Sequence, residues 1–181
     1  MKNHLILTIC LLFFTLVAFA QGEKPQKEAY MFEFGLGLGY EYGGIGAHFA
    51  VSPVPYASAF LGVGINGGIG FNAGAAVFAI PKTTKHTFRP FLEAMYGYNL
   101  VTILVDEATN VMDVNQYYGP SVGLGCEIRF GYPVKRHGFD IVFPRYGFWS
   151  DKAWDAYNSF DEESRPALGP WGFSIGYHFE F

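Results

Sequence analysis

Seven ionisable residues, Glu33, Arg89, Glu93, Glu127, Arg129, His178 and Glu180, stand where they could do chemistry together. Each falls on the small, polar side of a segment whose side chains alternate with a period of two. Carboxylates facing guanidinium groups and an imidazole could relay protons, pass ions or form an acid–base centre. They could also neutralise one another as the filling of a closed interior. A buried charge without a partner costs several kcal/mol, so complementary acids and bases are what a filled interior requires. On that solvation argument the reading is a paired polar core.

Other chemistries find less support. Ser174 and His178 share one face of the last segment, but four residues at strand rise separate them by about 13 Å, so they cannot form a nucleophile–base pair. Ser121 or Ser58 could meet a histidine only across strands, and no local motif argues for it. A lipid-modifying enzyme, an acyl-hydrolase or acyltransferase, stays open as the alternative class, since such a site would be assembled in space. The histidines show no HxH or HExxH spacing, so no metal site and no cofactor is expected. His48 and His178 read as interior fillers, whereas His86 and His137 lie beside Lys82, Lys85, Lys135 and Arg136 and read as a solvated rim. The glycine runs at 35–39 and 62–70 precede no helix start, so they are not phosphate loops.

The segment Gly147 to Gly169 sets Trp149, Trp154, Tyr157 and Phe160 among Asp151, Asp155, Asp161, Glu162 and Glu163. Spacings of three put Trp154, Tyr157 and Phe160 on one side of a short helix starting after Ser150 or Asp151. These aromatics are the candidates for a surface contact; the plainer reading is a flap over the mouth of the fold.

The elements that must carry these residues are strands. From Tyr30 to Tyr42 the even positions are apolar or aromatic and the odd ones, Met31 apart, small or acidic. Tyr118 to Tyr132 and Trp171 to Phe181 repeat the split. Five more strands fall near 45–51, 57–65, 69–80, 87–101 and 139–146, making an all-β, eight-stranded antiparallel up-and-down barrel that crosses a membrane. Phe78, Ile80, Phe91 and Met95 fall out of phase, on what should be the polar side. An eight-stranded interior has room only for side chains, so the glycine-rich charged face belongs inside and the aromatic face outside. A soluble secreted barrel binding an apolar ligand would need the opposite. Arg145 follows Phe139, Ile141 and Phe143 in phase and is expected on the outer face, at a strand end where a charge is tolerated. Short turns fall at 53–56, 81–86 and 133–138, and the longer connections, Thr102 to Gln116 and Gly147 to Gly169, at the other end. Tyr30, Tyr40, Tyr132 and Trp171 are placed for aromatic girdles.

The N-terminus agrees. Lys2, an apolar stretch from Leu5 to Ala20 and Ala18-Phe19-Ala20 form a cleavable export signal over 1–20, followed by a polar segment, 21–28, and the barrel, 29–181. Cleavage leaves Cys126 alone, so no internal disulfide is possible. The chain is 19% aromatic and only 15% charged, against about 25% charged in soluble domains. A net charge of −4 gives no basic field for nucleic acid.

The chain resembles the small bacterial outer-membrane barrels, OmpX-like proteins and the membrane domain of OmpA. The resemblance rests on architecture and on the closing Trp-Gly-Phe-Ser-Ile-Gly-Tyr-His-Phe-Glu-Phe of residues 171–181. It implies a Gram-negative outer-membrane location, lipid as surroundings and handling by the barrel-assembly machinery, with Tyr177, Phe179 and Phe181 as the terminal signal. No peptidoglycan-binding domain is expected after Phe181. The function expected is non-enzymatic, structural or surface-interacting through the outer loops.

Overall fold

The computed structural model describes residues 32–82, 86–106, 111–132, 135–160 and 169–181, with backbone pairing alone for 103–106 and 111–113. The expected signal and polar segment therefore lie outside the described residues, as do Tyr30, Lys85, Asp161, Glu162 and Glu163.

The strands are β1 Phe32–Gly39, β2 Gly44–Val54, β3 Ala57–Ile65, β4 Ile69–Phe78, β5 Phe88–Asp106, β6 Val111–Phe130, β7 His137–Gly147 and β8 Trp171–Glu180. Each pairs antiparallel with its chain neighbour, and β1 pairs with β8, so the sheet closes into an eight-stranded up-and-down barrel. Closure removes every free edge along the wall, which lets the backbone satisfy itself without water. The alternation sorts the faces as expected. Phe34, Leu36, Leu61, Phe71, Leu124, Ile141, Phe173 and Ile175 point outward and are exposed, while Glu33, His48, Arg89, Glu127, Arg129, Ser174 and His178 are buried inside. The arrangement is the reverse of what a soluble ligand-binding barrel needs.

Four details differ from the sequence reading, each for a local reason. First, β1 stops at Gly39, and Tyr40–Tyr42 form a single 3-10 turn that dips into the lumen. Tyr42 is 0% exposed, and Tyr40 packs inward against the ring of Tyr98 instead of joining an outer girdle. Second, the expected loop 102–116 is largely strand: pairing runs on from Thr102↔Asn115 to Asp106↔Val111, beyond the last partners on β4 and β7. A two-stranded ribbon thus stands above the rim.

Third, Arg145 does not face outward. The register of β7 shifts between Val142 and Arg145 against both β6 and β8, so Phe143 and Pro144 both point out and Arg145, 1% exposed, turns in. A bulge of this kind changes the side-chain parity of everything beyond it. Fourth, β4 ends at Phe78 and not at residue 80, while the out-of-phase Phe78, Phe91 and Met95 do lie on the inner side: Phe78 and Phe91 pack with Ala76 and Val142, and Met95 with Ala50 and Phe60. The lumen has an apolar waist between two polar layers.

The outward face sets the first test. Ile175→Arg, in the middle of β8, is expected to lower the folding free energy in lipid vesicles by about 2–4 kcal/mol, and Ile69→Arg, at the rim, by about 1 kcal/mol or less. Reversible urea titration of each variant measures the difference.

Candidate functional site

The charged layer nearest the chain ends starts from an awkward pairing. Glu33 and Glu180 are register partners on β1 and β8, two carboxylates side by side across the closing seam. The cation between them comes from the β4–β5 connection, where Lys82 places Nζ 3.0 Å from Glu33 Oε2 and 3.3 Å from Glu180 Oε1. Arg129 forks onto Glu180, with Nε donating at 2.9 Å and Nη2 to the second oxygen, and its Nε lies 3.1 Å from Glu127 Oε1. Arg89 donates through Nη1 to Glu127 Oε2 and through Nε to the Ile80 carbonyl at 3.2 Å, and its guanidinium stacks 3.9 Å from the centre of the Phe78 ring. Such forked, charge-assisted bonds are the strong kind.

His178 closes the layer. Its Nδ1 lies 2.5 Å from Asp140 Oδ2, and its ring nitrogens lie 3.8 Å from oxygens of Glu33, Glu127 and Glu180. Burial works against the charge on Lys82, but Glu33, Glu180 and Glu127 outweigh it and hold its pKa above the ordinary lysine value. Lys82 therefore stays cationic through the neutral range.

All seven ionisable residues singled out from the sequence are buried in the lumen. Six of them form this one layer; Glu93 lies beyond the apolar waist with Glu41 and Arg145, which donates to Asn99 and Ser121 and stacks 4.2 Å from the Tyr40 ring. Sequence reasoning passed over Asp140, although it alternates in phase with Phe139 and Ile141 and could have been found that way. It placed Lys82 on a solvated rim, where the structure has it 1% exposed and bridging two strands. A residue in a turn has no periodicity to betray its direction. His137, expected on that rim, stacks on the outer face with Phe130 and lies beside Phe179 and Tyr177.

The ligand atoms of Glu33, His178 and Glu180 all lie within 4.8 Å of one another, a spacing that could hold a metal ion. The ammonium of Lys82 already sits against two of the three. Ser174 is engaged elsewhere, accepting from the Glu41 N–H at 3.1 Å.

At the opposite end, helix α1, Asp151–Asn158, starts where expected: Ser150 Oγ accepts from the Ala153 N–H at 3.4 Å. Trp149, Trp154 and Tyr157 form one aromatic cluster with ring centroids 5.0 to 6.0 Å apart. Trp149 Nε1 donates to the Asn99 carbonyl at 3.2 Å, which ties the helix to β5. Phe160 follows the helix, its N–H reaching the Tyr157 carbonyl at 3.4 Å. Of the terminal aromatics, Tyr177 and Phe181 are exposed on the outer side and Phe179 is half-buried between Phe181 and His137.

No protein-family model and no curated protein matches the chain. Among solved structures, its fold is similar to the N-terminal β-barrel domain of Pseudomonas aeruginosa OprF, with a TM-score of 0.52 and 14% identity over 85% of this chain and 100% of that one. At that identity the likeness speaks for the fold.

Removing the bridging cation should expose the dependence of the seam on it. Lys82→Met is expected to destabilise the folded barrel by about 3–5 kcal/mol, because Glu33 and Glu180 are left facing each other. Adding Glu33→Gln to it should recover part of that loss. Urea titration of the single and double variants checks both.

Proposed function

We propose that this protein is a non-enzymatic outer-membrane barrel of a Gram-negative-type bacterium, a structural component of the envelope that meets other molecules through its outer loops. One observation carries the reading: a closed eight-stranded wall shows a continuous apolar and aromatic outer face around a lumen filled by charged layers and an apolar waist. An outer face of that kind needs hydrocarbon around it, and a lumen of that kind leaves little room for solute. The export signal read over 1–20 and the terminal aromatics Tyr177, Phe179 and Phe181, offered to the barrel-assembly machinery, fit the same location. Trp149, Trp154, Tyr157 and Phe160 would supply the contact surface.

The proposal has two measurable consequences. Folded protein should migrate differently from boiled protein on gels and show no large conductance in planar lipid bilayers; a reproducible water-filled pore would sink the plugged-barrel part. Expression should also leave the lipid A mass spectrum of the host unchanged, whereas a gained or lost acyl chain would replace this reading with the enzymatic one.

A further inference from the structure

The geometry points to a device beyond the plug itself: the β1–β2 turn is a latch, held inside the lumen while Glu41 and Glu93 share a proton and released toward the mouth when both ionise. The turn has no need to enter the barrel to connect two adjacent strands. It does so in a seat made for it. Gly35 and Gly37 on β1 and Gly176 on β8 line the place of the Tyr42 ring; a Cβ on Gly37 would lie 2.7 Å from Tyr42 Cε2, and one on Gly176 would overlap the hydroxyl. Entry and exit lie at Gly39 and Gly43, with φ of 109° and 68°, a region that only glycine adopts freely. Such residues can absorb the backbone change of a hinge.

What holds the turn is uneven. Its backbone is tied by the Glu41 N–H to Ser174 Oγ at 3.1 Å and by the Tyr40 carbonyl, which accepts from Asn72 Nδ2 at 2.5 Å. Its one ionisable acid meets mainly other acids: Glu93 from β5, Asp140 from β7 and Glu33 from β1. Arg145 from β7 is the cation facing it, and that guanidinium also serves Glu93, Asn99 and Ser121. His48 from β2 meets the turn through the Tyr42 ring, and β8 offers it Ser174. Apart from the contact between the two carboxyls, Glu41 Oε2 and both oxygens of Glu93 are buried without a hydrogen-bond partner. Two adjoining buried carboxylates cannot both carry charge at little cost, so one keeps a proton. Outside, in water, Glu41 would give that proton up. The inward state therefore binds one proton more than the outward state, and rising pH favours release.

The test uses the mature chain in lipid vesicles, with Cys126→Ser removing the native thiol and Ser174→Cys as the reporter beneath the turn. The reaction of that thiol with a water-soluble methanethiosulfonate is compared with an exposed control, Ser159→Cys. Relative to the control, labelling is expected to rise about tenfold or more between about pH 6 and about pH 9, and Glu41→Gln should abolish the rise. Hydrogen exchange of residues 39–43 in the unaltered protein, corrected for the intrinsic rate, should show the same loss of protection. A labelling ratio that stays flat, a rise that persists in Glu41→Gln, or protection unchanged with pH would each overturn the latch.

Discussion

Closure is the constraint on which the rest depends. An eight-stranded barrel encloses a space that side chains fill, so an inward charge must find its partner across that space and not in water, or give the charge up. The partners come from distant parts of the chain. Lys82 joins β1 to β8, Arg129 joins β6 to β8, and Arg89 joins β5 to β6. Arg89 and Glu127 already face each other in the β5–β6 hairpin and Arg129 reaches Glu180 across β7, but Lys82 meets both of its carboxylates only when the ring is complete. Together with the β1–β8 ladder, this couples the closing seam to the β4–β5 connection.

The interior is layered because its problems differ along the axis. Near the chain ends, Glu33 and Glu180 are forced together by register, and a lysine is brought in from outside the sheet to neutralise them. In the middle, Phe60, Phe78, Phe91 and Met95 occupy the volume that glycines on neighbouring strands leave open; Gly125, for one, lies against the Phe91 ring. Toward the mouth, the inserted turn fills what the wall does not. Small residues in one strand and large ones in another are thus two halves of a single packing solution.

Much of this was legible in the sequence, and the limits were physical. Period-two alternation found all eight strands, with β3 placed to the residue, and put seven buried charges on the correct face. It failed where the backbone stops counting in twos. Tyr42 followed the rhythm on paper but lies within a turn, and Arg145 lies past a bulge, so both point opposite to their parity. The long β5–β6 hairpin was read as a loop because segments above the rim no longer separate an apolar from a polar face. Of the site, the acids and arginines could be listed from the sequence but their pairing could not, since register across the lumen is not written in any one strand.

The bulge in β7 bears on how such a chain tolerates change in length. Between Val142 and Arg145 the strand carries a surplus that sets the phase of Arg145, Tyr146 and Gly147. Loss of one residue there would leave the ladder intact below and exchange inside for outside above, sending Arg145 into the surroundings and Tyr146 into the lumen. A substitution at the same place perturbs one contact. For this barrel, an insertion or deletion within the wall is therefore disruptive, because each residue counts as a half-turn of every side chain that follows it on that strand.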